Sequence, residues 1–358
     1  MSETPRTPLP LPVLAAIIAA TAVTATLTPA AAAPIADARG ITISCWRWGY
    51  EWATDDMRAT MAQLPEVGAN WVTIHPYAHV SRATGRVRWS AAERTDHIRK
   101  PIRWAKELGL RLMLKPHLSY WGEFDWRGDI GFGDDAERWQ RFQETYHGWI
   151  THLAAVAAEE GADLFVVGTE LRQFEPQVDY WRAVIKSVRK AYPGPLTYAA
   201  NWDDFDRVGF WPELDLIGVQ AYFPLTSSPE PSDRELRRGW QRAVAAMTAL
   251  SEKHDRKVLL TEVGYPNADW AASTPWRTRR RHRGDTGLQA RCLRTALDVA
   301  HHSDAIVGAF IWKWFPTTRD IGPADFTVQT REYKELLADV WSRGVAAPAA
   351  TTTRPGDD

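Results

Sequence analysis

Short apolar runs return at regular intervals along the chain, at 41–46, 71–75, 111–117, 164–170, 196–201, 216–222, 258–264 and 307–314. A strand covered on one face alternates apolar and polar residues, whereas a run that is apolar throughout is covered on both faces, as parallel strands are. The intervening segments repeat differently. Within 134–160, Trp139, Phe142, Tyr146, Trp149 and Leu153 recur at steps of three and four, which is helical spacing. Segments 96–108, 179–192, 232–254 and 287–301 follow the same rule, and the connection 205–213 carries the weakest helical pattern.

Eight such units over about 300 residues predict a single-domain (β/α)8 barrel, a TIM barrel. A doubly wound open sheet is the alternative, but no GxGxxG follows the first strand and the even spacing favours closure. The barrel is read over 41–342, with a linker at 34–40 and an Ala-, Thr- and Pro-rich tail at 343–358. Residues 1–33 differ from the rest. Arg6 precedes an Ala-rich apolar run, 13–27, too short to span a membrane, and small residues end at Ala33. This pattern predicts a secretory signal peptide cleaved near Ala33 and a secreted protein with no membrane association after cleavage.

A net charge of -1 offers no electrostatic footprint for nucleic acid. Cys45 and Cys292 fall in separate predicted elements and are read as two separate thiols. No GxSxG, HExxH, CxxC or P-loop pattern is present, which removes the common hydrolase and nucleotide alternatives; no metal or other cofactor is expected. The basic run 278–284 reads as a solvated loop, and His301 with His302 as a favourable end to a helix.

In a barrel of this kind the chemistry sits where the strands end and eight loops converge. The strand ends here are Trp46 with Trp48, His75, His117, Glu170, Asn201, Tyr222, Glu262 and Trp312, where simple core filling would place Val, Ile or Leu. One rim glutamate would be an ordinary solvated residue. Two Thr-Glu pairs, on the fourth and seventh strands, face each other across the mouth, and paired carboxyls across a cleft are what glycoside hydrolysis needs. Nineteen tryptophans strengthen a sugar reading, since about eleven fall at or beyond strand ends and indole faces stack on pyranose rings. Trp104, Trp139, Trp149, Trp181, Trp240 and Trp341 lie on predicted helices and read as core. A barrel that only binds polysaccharide is one alternative. A Schiff-base lyase at Lys115, followed by Pro116, is a weaker one.

The segments GTEL (168–171), QAYFPL (220–225), TEVGYP (261–266), GLQARC (287–292) and WKWFP (312–316) together resemble glycoside hydrolase family 113, within clan A of the glycoside hydrolases. The likeness runs from about Ile43 to Trp341. It implies a monomeric, metal-independent, retaining endo-β-1,4-mannanase acting on β-linked polysaccharide or oligosaccharide, with Glu170 as acid/base, Glu262 as nucleophile and Tyr222 orienting the nucleophile. It further implies substrate contacts from Trp312, His117 and Asn201. The aromatic and strand-end pattern adds Trp46, His75, Trp202, Trp270 and Trp276. Most clan members carry Asn just before the acid/base, where its amide meets the sugar 2-hydroxyl. Thr169 stands there in this chain, so that contact must come from elsewhere. Another clan A activity, such as a β-glucanase, a chitosanase-like enzyme or an exo-β-mannosidase, is the related alternative.

Overall fold

The eight apolar runs form eight parallel strands in the computed structural model: β1 (Ala38–Ile43), β2 (Trp71–Ile74), β3 (Arg111–Leu114), β4 (Leu164–Thr169), β5 (Leu196–Asn201), β6 (Leu216–Gln220), β7 (Val258–Val263) and β8 (Ile306–Trp314). Each pairs with its neighbours in chain order, and β1 closes the barrel on β8 with Ala38 opposite Gly308. The structure describes residues 35–89, 95–277, 283–317, 322 and 324–343. The leader, most of the basic run and the tail beyond Arg343 lie outside them.

Seven α-helices are present among the described residues: α1 (Asp55–Ala62), α2 (Asp96–Glu107), α3 (Ala136–Glu160), α4 (Val178–Ala191), α5 (Asp233–His254), α6 (Thr286–His301) and α7 (Arg331–Ser342). The five periodic segments become α2 to α6. Local chemistry starts several of them: Asp135 accepts from Arg138 N–H ahead of α3, Ser232 and Glu235 form a reciprocal capping box on α5, and Asp285 accepts from Leu288 N–H at α6. The weak connection after β5 holds two 3-10 turns, Phe205–Arg207 and Trp211–Glu213, and no α-helix. No helix of the described residues is long and apolar enough to cross a membrane.

The barrel lumen is filled from all eight strands. Ala38, Trp71, Met113, Leu164, Val166, Ala199, Leu216, Leu259 and Phe310 form its apolar plug, separate from the larger core between strands and helices. The register places β1 earlier than its apolar run suggested. It begins at Ala38, inside the stretch read as linker, because Ala38 belongs to the plug and Gly40 makes room there: a Cβ at Gly40 would fall 2.1 Å from the Phe310 ring. Above the plug the lumen turns polar. Thr42, Thr73, Lys115, Gln220 and Thr261 are all buried, with Thr73 donating to Met113 O at 2.7 Å and Thr261 to Gln220 Oε1 at 2.9 Å.

Several runs leave the barrel sooner than their hydrophobicity suggested. After Pro76 and Pro116 the chain forms a separate three-stranded sheet at the mouth, from Tyr77–Val80, Val87–Arg88 and His117–Ser119, in which Tyr77 pairs with His117. Both cysteines are free. The outer core is strongly aromatic behind β4, where fully buried Trp181 contacts Phe174, Tyr146, Tyr198 and Phe210. Replacing Trp181 with Ala leaves a cavity that four rings cannot close, and should cost about 3–5 kcal/mol in urea-induced unfolding.

Candidate active site

A cleft of about 510 Å³ opens at the C-terminal ends of the strands, and both glutamates singled out from the sequence line it. Glu262 is buried on β7 and held by several donors. The Tyr222 hydroxyl donates to Oε2 at 2.6 Å, the Lys115 ammonium is in direct contact with Oε1, and His117 Nε2 lies 3.6 Å from Oε1. Lys115 has no exposed surface, and it also donates to Thr261 O at 3.2 Å and Gln220 Oε1 at 3.4 Å. Burial pushes its ammonium below the usual lysine range and Glu262 pulls it back. Burial, reinforced by Glu262, pushes the Tyr222 phenol up, so its proton stays in place to be donated.

Glu170 directly follows β4 and meets a different environment. Arg127 spans it and its neighbours: Nη1 donates to Glu170 Oε2 at 2.8 Å, Nε to Leu118 O at 3.0 Å, and Nη2 contacts His117 Nδ1 at 3.2 Å. Guanidinium only donates, so Nδ1 accepts and the neutral imidazole carries its proton on Nε2, toward Glu262. Burial holds His117 neutral, well below the usual histidine range, and Arg127, His75 and Lys115 add to the effect. Burial pushes the Glu170 carboxyl above its usual range; Arg127 and Lys115 oppose this, and Glu262 reinforces it. One cleft thus contains a carboxyl fixed by phenol and ammonium and a second whose proton affinity is raised. Such a pair can divide nucleophilic and proton-transfer duties.

Both strands are irregular where these residues sit. The β4–β5 register shifts between Val166 and Thr169, and β7 shifts against both neighbours between Leu260 and Val263. Bulges of this kind re-aim side chains at barrel rims. Glu170 itself is left-handed, with φ 54°, a costly state for a residue with a Cβ. Thr169 turns its hydroxyl into the wall, donating to Pro116 O at 3.1 Å. Gly168 is required by packing: a Cβ there would lie 2.6 Å from Trp181 and 2.9 Å from Tyr198.

Of the expected substrate contacts, Trp46, His117, Asn201, Trp202, Trp276 and Trp312 line the cleft together with Tyr222. Two expected contacts do not line it. His75 sits one layer down in the lumen, fully buried, stacked on His117 at 4.8 Å and tilted against Trp312 at 5.2 Å. Trp270 is buried in the loop after β7. Several other strand-end indoles also pack inward: Trp52, Trp211 and Trp314 have no exposed surface, each donating to a backbone carbonyl. Arg127 and Arg172 line the cleft and were missed, because both come from loops where no periodicity marks them. Arg172 bridges Asp203 and Asp204 and lies 4.9 Å over Trp126. Lys115, the candidate Schiff-base lysine of the sequence, is instead a buried counter-charge. It lies two residues after the lumen residue Met113, and its amine is an ion-pair partner of Glu262. Among the described residues, no group of three or more His, Cys, Asp or Glu side chains could hold a metal ion.

A closed parallel barrel with two carboxyls in one aromatic cleft at its C-terminal rim defines the barrel glycoside hydrolases. The family model for Glycoside Hydrolase Family 113 matches residues 45–333, and the chain belongs to that family. Its fold is similar to that of the family 113 β-mannanase AaManA from Alicyclobacillus acidocaldarius in complex with ManMIm. The two share 26% identity over 86% of this chain and 98% of that one, with a TM-score of 0.76. A complex of a family 113 β-1,4-mannanase matches at 23% identity, 86% and 99% coverage and a TM-score of 0.76. The fold is also shared with a variant family 5 enzyme from Streptomyces cattleya in complex with Manb1-4GlcNAc, at 15% identity, 87% and 82% coverage and a TM-score of 0.61. A search of curated proteins returns no match.

Two substitutions probe this architecture through stability. Lys115→Met leaves Glu262 buried without its ammonium partner and should cost about 3–5 kcal/mol. Gly168→Ala forces Trp181 and Tyr198 apart and should cost about 1–3 kcal/mol. Chemical denaturation with matched fluorescence and circular dichroism measures both.

Proposed function

We propose that the protein is a retaining endo-β-1,4-mannanase, exported from the cell, with Glu262 as nucleophile and Glu170 as acid/base. The observation that carries the assignment of roles is the 2.6 Å hydrogen bond from Tyr222 to Glu262 beside the Lys115 contact. Glu262 takes donors from both a phenol and an ammonium, whereas Glu170 takes the Arg127 guanidinium and has its proton affinity raised by burial, as a proton donor needs. In the first step a Glu262 oxygen attacks the anomeric carbon, the glycosidic C–O bond breaks, and the proton of Glu170 passes to the departing oxygen. In the second, Glu170 takes a proton from water, the water oxygen attacks the same carbon, and the bond to Glu262 breaks.

Endo action is supported by aromatic surfaces on two arcs of the rim. Trp46 stacks on Phe315 at 4.2 Å, and Trp48, Tyr77 and Trp121 form edge and tilted contacts beside it, all from the loops after β1, β2, β3 and β8. Trp202 stacks on Trp276 at 4.6 Å from the loops after β5 and β7. Platforms on both arcs suit a chain that runs across the cleft. The mannan preference is supported by membership of the family and by similarity to its named β-mannanases. Export is supported by the apolar run at 13–27 and the small residues up to Ala33.

Glu262→Ala should abolish hydrolysis, with azide restoring part of it as a substitute nucleophile, followed by release of glycosyl azide; unchanged turnover would overturn the assignment. Mannan and glucomannan should yield reducing oligosaccharides, while cellulose, xylan and chitosan should not. Mannose as sole product would make the enzyme exo-acting, and binding without new reducing ends would make it a binding barrel.

The pH profile gives a separate check. Hydrolysis of a natural linkage should fall as pH rises through the raised pKa of Glu170, since the proton donor is then lost. With a dinitrophenyl leaving group the first step needs no proton, and this alkaline limb should vanish from first-step rates.

A further inference from the structure

Glu175 is a buried carboxyl, 5% exposed, that takes no part in the chemistry above. A closed ring of hydrogen bonds ties it to the residue after Glu170. Leu171 N–H donates to the Tyr198 hydroxyl at 2.8 Å, that hydroxyl donates to Glu175 Oε1 at 2.8 Å, and Glu175 N–H returns to Leu171 O at 3.0 Å. Both ends of the turn are thereby locked to one another.

The ring stands where the backbone most needs support. Glu170 is left-handed, and its own N–H is fixed on Ala199 O at 2.9 Å. The next donor along the chain, Leu171 N–H, is fixed by Tyr198. Tyr198 comes from β5 and is itself immobile, with no exposed surface and with Trp181 and Phe210 each 5.2 Å from its ring. Gly168 provides the space through which it reaches the turn. With its proton given to Glu175, the hydroxyl turns its lone pairs to Leu171 N–H, so the carboxyl helps aim the hydroxyl and the hydroxyl holds the turn.

We propose that Tyr198 and Glu175 are positioning residues for Glu170, holding its backbone left-handed so that its carboxyl faces the scissile oxygen. The proposal rests on Glu170 as the proton donor. Around Glu175 the charged and titratable groups are Asp204, Arg172, Asp203 and the Tyr198 hydroxyl; around Glu170 they are Arg127, Glu262, Lys115 and Tyr222. Burial, with Asp204 adding to it, pushes the Glu175 carboxyl up to about 8. Neutral or ionised, it presents an oxygen acceptor to Tyr198, so an amide can replace it.

The test compares Tyr198→Phe, Glu175→Gln, Glu175→Leu and a Glu170→Ala control on mannopentaose and on dinitrophenyl β-mannobioside. Tyr198→Phe should lose about tenfold or more in kcat on mannopentaose, with KM little changed and the alkaline limb of its pH profile displaced. Its first-step rate on the activated aryl substrate should stay within about threefold of wild type, because that step needs no proton donor. Glu175→Leu should follow Tyr198→Phe, and Glu175→Gln should keep at least about half of wild-type activity. Equal losses on both substrates would reduce the ring to a structural role, and an unmoved kcat and pH profile in Tyr198→Phe would overturn the proposal outright. Full activity of Glu170→Ala on mannopentaose would instead overturn the acid/base assignment beneath it.

Discussion

Lys115 is an ammonium group with no exposed surface, set in the lumen just above the apolar plug, and the catalytic end of the barrel is organised around it. A buried cation is tolerated only with a counter-charge and with acceptors for its remaining protons. Glu262 supplies the charge, and Thr261 O and Gln220 Oε1 supply the acceptors. Gln220 is fixed in turn by Thr261, and Glu262 by Tyr222. Meeting the needs of one lysine thus fixes side chains from β6 and β7, and the irregular register of β7 lets Thr261 and the adjacent Glu262 both serve it.

Arg127 does the corresponding work on the opposite side. It reaches in from a loop to Glu170, Leu118 O and His117, and its contact with His117 decides which imidazole nitrogen carries the proton. The two carboxyls are therefore linked through protein groups: Glu170 to Arg127, Arg127 to His117, His117 to the vicinity of Glu262. His75 lies beneath this chain and supports it by ring stacking, without access to the cleft. Each charge at the bottom of the cleft has its partner in place before any sugar arrives, which keeps the reorganisation needed on binding small.

The barrel was legible because doubly covered strands and amphipathic helices leave different periods in a sequence, and both held from β1 to α6. Glu170, Glu262 and Tyr222 were legible for the same reason: polar groups ending apolar runs stand out. What was hidden has two physical sources. The period of two breaks at a bulge, so pattern alone could not say that Thr261 and Glu262 point into the same space. Loop residues carry no period, so Arg127 and Arg172 gave no sign, and Trp52, Trp211 and Trp270 could not be told from indoles that face solvent. The sheet at the mouth was missed because Tyr77–Val80 and His117–Ser119 are too short to register apart from the runs they follow.

The apolar plug has a meaning for traffic. Side chains from all eight strands fill the lumen below Lys115, so among the described residues the barrel is closed beneath the carboxyls. Anything that reaches the carboxyls comes through the mouth, and anything released leaves the same way. The plug thus makes the mouth the floor of an open cleft rather than the end of a channel.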